Sequence, residues 1–382
     1  MSNLQELLNR SVESLDLPFV VAMVGTKDRV AFSGAAGKAR ADTDAGEATL
    51  FRIFSMTKAV CATAAVILME RGQLDTETPV DEFLPEFSDL RVLEGYDGDV
   101  PRLRKPKTRA TVRQLATHTS GLEYEFWNPD VAAFMQRTGH PSVIAGTKAS
   151  MKYPMMRDPG TRWGYGPGVD WLGLVVEAVD GRRIDDFCTQ EIFEPLAMSD
   201  THFELPARCS HRLADIGIRT ERGNFAPFEI APPANPEVYG MGHALYGSAP
   251  DYLTLLRMFL NDGELNGERI LTPKGVQFLL ADQLLGLRFE PMISVTPLSA
   301  DFDPFPGKPM THSFGFLRNE VDVAGMRSAG SQGWAGVLNS HYWFDPKQAV
   351  AAVFMTQSLP FCEARCMKRF NDFEKAVYAQ IT

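Results

Sequence analysis

The stretch Leu50-Phe51-Arg52-Ile53-Phe54-Ser55-Met56-Thr57-Lys58-Ala59-Val60-Cys61-Ala62 leads a strand-like apolar run into a long apolar helix. From Thr57 to Arg71 the residues include no Pro or Gly, and Gly72 ends the run. A helix that is hydrophobic on most sides is buried between layers. Ser55 and Lys58 stand three apart, so they project from one face with Cβ atoms about 5–6 Å apart and can share a proton. A serine at a helix start also lies beside free backbone N–H groups and the positive end of the dipole, which helps an oxyanion form. A lysine acting as base must be neutral, and neutralising a side chain of pKa about 10.4 at pH 7 costs about 4.6 kcal/mol. The apolar neighbours Phe54, Ala59 and Val60 supply the desolvation this requires. Taken alone, the tetrapeptide is equally a serine capping a helix beside a snorkelling lysine.

Outward from this stretch, Leu4, Leu7, Leu8, Val12 and Leu15 recur at helical spacing, so the chain opens on a helix. Phe19 to Val24 and Arg29 to Ser33 flank Gly25-Thr26-Lys27-Asp28 as a β-hairpin, after which Gly34 and Gly37 loosen the chain. Residues 80–209 read as a mainly helical inserted domain: helical patterns at Val112 to Ala116, Val169 to Val179 and Asp185 to Phe193 alternate with Pro/Gly loops. The basic residues Arg102, Arg104, Lys105, Lys107 and Arg109 read as a solvated loop. Strands return near 240, with a hairpin of Gly336 to Phe344 and Ala349 to Met355 about Asp345-Pro346-Lys347. A final helix spans about Cys362 to Gln380. Residues 1–79 and 210–382 would thus form one discontinuous α/β domain, an antiparallel sheet covered by the terminal helices.

Composition narrows the function. The 382 residues are 45% hydrophobic and 23% charged, as in globular proteins. Lys and Arg total 38 against 48 Asp and Glu, a net charge of -10 that repels phosphate backbones and anionic lipid heads. Neither nucleic acid nor a membrane is an expected partner. The first 25 residues carry Glu6, Glu13 and Asp16 in place of a basic leader, so export is not expected. The five scattered cysteines, Cys61, Cys188, Cys209, Cys362 and Cys366, fit reduced thiols in a cytoplasm. Cys362 and Cys366 have no histidine nearby to complete a metal set, and no metal or other cofactor is expected. There is no Gly-Xaa-Ser-Xaa-Gly elbow, which argues against an α/β-hydrolase.

The text around Ser55-Met56-Thr57-Lys58, with Gly72-Gln73-Leu74-Asp75 after it, resembles the serine β-lactamase and penicillin-recognition superfamily. Leu115 to Leu122, Pro159-Gly160-Thr161-Arg162-Trp163-Gly164-Tyr165, Pro195 to Thr201 and Gly333-Trp334-Ala335-Gly336 follow in order and resemble its class C branch. The resemblance covers nearly the whole chain. It implies a β-lactamase/transpeptidase-like fold, an antiparallel sheet flanked by helices with an inserted helical domain, and the active site at the seam. It also implies that Tyr165 shuttles a proton beside Ser55 and Lys58, and that the backbone N–H groups of Ser55 and Val337 form an oxyanion hole.

Two departures share one direction. The family's Tyr-Xaa-Asn is here Tyr165-Gly166-Pro167, and its edge-strand Lys-Thr-Gly is Trp334-Ala335-Gly336. Trp-Xaa-Gly in that place is similar to the family VIII carboxylesterases. An indole in place of a cation removes the anchor for a substrate carboxylate and adds apolar wall, which favours uncharged acyl esters. Trp334 and Gly336 are then substrate-binding candidates, as are Tyr124, Phe126 and Trp127, whose bland alternative is plain core. The implied activity is hydrolysis of short-chain esters, small-molecule substrates, through an acyl-enzyme, with weak β-lactam hydrolysis as a side activity. The alternatives are a β-lactamase, D-aminopeptidase or acyltransferase using the same serine, and a catalytically silent ligand-binding scaffold. Whether Lys58 or Tyr165 is the base, and the oligomeric state, stay open.

Overall fold

The computed structural model describes residues 2–381. Its helices include α1 (Ser2–Glu13), α2 (Thr57–Glu70), α3 (Val112–Ala116), α4 (Gly168–Asp180), α5 (Ala249–Leu260) and α6 (Ala364–Ile381). The main sheet has eight strands: β1 (Phe19–Thr26), β2 (Val30–Arg40), β3 (Thr43–Asp44), β4 (Met310–His312), β5 (Leu317–Asn319), β6 (Gln332–Gly336), β7 (Ser340–Asp345) and β8 (Val350–Met355). Their spatial order is β4-β5-β6-β7-β8-β1-β2-β3, antiparallel throughout. This is the antiparallel sheet flanked by helices that the sequence implies.

Strand periodicity divides β1 between two layers. Val20, Ala22 and Val24 pack with Leu4 and Leu8 of α1 and Phe370, Phe373 and Val377 of α6. Phe19, Val21 and Met23 face the larger core that holds α2 and α5. With both faces covered, the strand reads as one apolar run instead of an alternation. Helix α2 is buried along nearly its whole length and packs on α4. Its end is a left-handed turn at Gly72 (φ +70°), where Gly72 N–H donates to Met69 O and Gln73 N–H to Leu68 O.

Four local expectations are corrected. Strand β2 continues through Gly34 and Gly37 to Arg40, because Gly37 (φ +81°) lets the backbone lie directly on Pro18 and Phe19. The segment expected as one strand from Gly336 to Phe344 is the end of β6, a turn with Asn339 left-handed (φ 62°), and β7. Within residues 80–209 the structure adds a hairpin of Val92–Asp97 and Val100–Arg104. Arg102 and Arg104 therefore belong to a strand and not a loop, while Arg102, Lys105, Lys107 and Arg109 remain solvent-exposed. Arg104 forms two bonds to Asp158, of 2.7 and 2.9 Å, and Arg109 grips Asp81. Ion pairs between positions 54 and 28 residues apart leave no local signal.

Among the described residues, no helix is long and apolar enough to cross a membrane.

Candidate active site

Ser55 sits in the tight turn Phe54–Met56 that leads into α2, with Phe54 held at φ 43°. Two neighbours position this turn. The strand Leu50–Arg52 pairs with Tyr246–Ser248, and Ile53 N–H donates to Leu245 O at 3.0 Å. On the other side, β6 ends against it: a Cβ on Gly336 would run into the Ile53 carbonyl oxygen. Gly336 was expected at the substrate; it does not line the pocket, and its lack of a side chain instead lets β6 touch the serine turn. Although β6 is an inner strand by order, it pairs with β5 only at Gln332 and Gly333, so Trp334 to Gly336 present a free edge. Val337 follows the last ladder pair, Gly336 with Ser340, and lines the pocket beside Ser55.

The structure brings Ser55, Lys58, Tyr165, Trp334 and Tyr124 together. Tyr165 OH is 2.7 Å from Ser55 Oγ, and Lys58 Nζ is 3.2 Å from the same oxygen. The indole Nε1 of Trp334 donates to Tyr165 OH at 3.2 Å. Lys58 is 1% exposed, and its Nζ also lies 2.9 Å from Gly242 O and 3.4 Å from Tyr124 OH. The rings of Tyr124 and His118 meet the Tyr165 ring edge-on at 5.0 and 4.8 Å. Burial, then His312 and Lys58, push the His118 imidazole well below its ordinary pKa, and burial pushes His312 down to about 4. Both are neutral near pH 7, His118 packing on the tyrosine and His312 on His118 and Trp334.

Above Ser55 opens an apolar cavity. Its walls include Phe126, Trp127, Trp334 and Val337, with Tyr124 and Tyr165. Residues distant in sequence complete it, among them Ile144, Phe228, Met292, Leu298, Phe302 and Phe361. Single-sequence reading missed these because a buried aromatic facing a pocket and one facing core have the same local pattern. Its lining contains no Lys or Arg.

Two more missed residues stand behind Lys58. Asp170 is fully buried on α4, and Tyr124 OH donates to its Oδ2 at 3.2 Å. His243 lines the pocket, with Nδ1 3.2 Å from Asp170 Oδ1 but off the hydrogen-bonding line. A lone acid inside the apolar run Gly168 to Val176 was the available signal for Asp170.

Known proteins resemble this chain along most of its length. A monacolin J acid methylbutanoyltransferase of Aspergillus terreus is 29% identical over 351 residues, covering 86% of this chain and 82% of its own. A lovastatin esterase of Penicillium rubens is 28% identical over 324 residues, covering 80% of this chain and 78% of its own. The unliganded selenomethionyl structure of simvastatin synthase (LovD) from Aspergillus terreus superposes with a TM-score of 0.86 at 26% identity, covering 99% of this chain and 98% of that one. Relatives of this kind are acyltransferases and esterases by name. The Beta-lactamase family matches residues 4–376, and with the serine turn, the antiparallel sheet and the flanking helices in place, the chain belongs to that family.

Proposed function

We propose that this protein is a serine acyl hydrolase acting on uncharged, small-molecule esters through an acyl-enzyme on Ser55, in the manner of the family VIII carboxylesterases. The observation that carries this reading is the position of Ser55 Oγ: within hydrogen-bond reach of both Lys58 Nζ and Tyr165 OH, at the base of an apolar cavity without a cation. A β-lactam carboxylate would have no fixed positive partner there, whereas an acyl chain gains by leaving water.

Ser55 Oγ attacks the ester carbonyl as its proton passes to the Lys58/Tyr165 pair. The backbone N–H groups of Ser55 and Val337 stabilise the oxyanion; Ser55 lies in a first helical turn, where N–H groups have no intrahelical acceptor. The alkoxide departs with a proton from the same pair, and an acceptor hydroxyl then takes the acyl group by the reverse path. That acceptor is water in the esterase reading. It is an alcohol in the second reading, acyl transfer, which the names of the relatives and the near-absence of polar groups from the cavity wall favour. The five buried free thiols support a reducing compartment such as the cytoplasm.

The test is hydrolysis of p-nitrophenyl esters from acetate to laurate by wild type and Ser55→Ala, with nitrocefin alongside and a small alcohol added as competing acceptor. Turnover of the esters that disappears in the variant supports the assignment, and a transfer product that outgrows the free acid selects the second reading. Brisk nitrocefin turnover with inert esters overturns both.

A further inference from the structure

Asp170 lies five residues after Tyr165, on α4. A fully buried carboxylate needs partners, and this one has Tyr124 OH on Oδ2 (3.2 Å), Gly242 N–H on Oδ1 (2.9 Å) and His243 beside Oδ1. Burial pushes its pKa up, but its other neighbours, His243 first and the Gly242 N–H with it, hold it below the ordinary value. The side chain is therefore ionised and can only accept.

This end point sets the direction of a chain of hydrogen bonds whose other end is Trp334. An indole N–H can only donate. Its bond to Tyr165 OH leaves the tyrosine proton free to point at Ser55 Oγ, 2.7 Å away, and the serine proton then points at Lys58 Nζ. From the other side, Tyr124 has one proton and directs it to Asp170, so its oxygen can only accept from Lys58. Gly242 O can likewise only accept. A neutral amine has two N–H bonds, and these two acceptors use both. Its lone pair is left on the side of the remaining neighbour, Ser55 Oγ.

We propose that Asp170 is a positioning residue that acts through Tyr124 to fix the hydrogen-bond direction around Lys58, so that the amine lone pair faces Ser55 and Lys58 is the base. The inference rests on the proposed reading of Ser55 as nucleophile. In the step it describes, the Oγ–H proton moves to Nζ while an Oγ electron pair forms the bond to the acyl carbon and the carbonyl π pair moves onto its oxygen. When that pair returns, the bond to the alkoxide breaks, and the ammonium gives its proton back to the alcohol. Gly242 belongs to the same device, because a Cβ there would collide with both Asp170 and Tyr124 OH.

The experiment compares Asp170→Asn, Tyr124→Phe and the double variant on p-nitrophenyl butyrate, with fluorophosphonate labelling rates as a second readout. In Asp170→Asn the new amide donates to Tyr124, turns the phenolic proton toward Lys58 and occupies its lone pair. We expect kcat to fall about 100-fold with KM within about twofold, and labelling to slow in parallel. Tyr124→Phe removes one acceptor and should cost about tenfold in kcat. In the Tyr124→Phe background, Asp170→Asn should cost no more than about threefold further, since no hydroxyl remains to be reversed. Near-normal turnover of Asp170→Asn, or its full loss repeated in that background, overturns the proposal. Should Asp170→Asn fail to fold, Tyr124→Phe decides: unchanged kcat in a folded variant overturns it, and lowered kcat at constant KM upholds it. Failure of the nucleophile reading is a different result, retained labelling in Ser55→Ala.

Discussion

Trp334 and Tyr165 are joined twice: the indole N–H donates to the tyrosine hydroxyl at 3.2 Å, and the two rings pack 4.9 Å apart at 60°. The tryptophan standing where the resemblance expects a cation therefore walls the cavity and also sets which way the tyrosine proton points.

Trp334→Phe keeps the wall and removes the donor. One lost hydrogen bond at the reacting hydroxyl is worth roughly 1 kcal/mol, so kcat on p-nitrophenyl butyrate should fall about five- to tenfold with little change in KM. Trp334→Lys should instead raise the preference for esters bearing a carboxylate; equal selectivity in a competition assay would mean that the indole does not govern it.

Lys58→Ala and Tyr165→Phe share Ser55 Oγ as a neighbour, so their effects should not add. Each should lower kcat by about a thousandfold or more, and the double variant little further, with circular dichroism unchanged. Additive losses would show two independent roles in place of one relay.

At Gly336, alanine would force β6 away from the Ile53 carbonyl and widen the gap between Val337 and Ser55. The fluorophosphonate labelling rate should drop about tenfold or more, and urea unfolding should show a loss of about 1–3 kcal/mol. A wild-type labelling rate would remove Val337 from the oxyanion hole.

His341 lies between Phe361 and Phe370, with ring centroids at 6.1 and 4.6 Å, and burial followed by Arg327 pushes its pKa down to about 3. The unfolded imidazole titrates near 6.5, so unfolding takes up a proton below that pH. The contribution is fully present above about pH 6.5 and is lost as pH falls toward 3, by up to about 1.4 kcal/mol per unit. Urea midpoints measured between pH 7 and 4.5 should fall in wild type and fall less steeply in His341→Phe; identical slopes would assign the acid sensitivity to other groups.

Much of the fold was legible because its signals are local. Period-3.6 and apolar runs marked α1, α2 and α6, and turn residues marked the hairpin of β7 and β8 about Asp345. The hairpin at Val92–Asp97 escaped because its strands are short, half-exposed and rich in charge. Strand β2 was cut short at Gly34 because a glycine that permits close backbone approach looks the same in sequence as one that ends a strand.

For the site, the sequence by itself determined that Ser55 and Lys58 share a helix face, since a three-residue spacing fixes that geometry wherever the helix lies. It also determined that the place of a cation is taken by Trp334, since residue identity is all that this reading requires. Only the tertiary structure decided that Asp170, Tyr124 and Gly242 converge behind Lys58, and that Phe302 and Phe361, buried with the main core, also line the cavity. These groups come from segments tens to hundreds of residues apart. Their meeting depends on how α4, the Gly240 to His243 turn and the sheet pack together, and hydrogen bonds made across such distances impose no periodicity on any one of the segments that supply them.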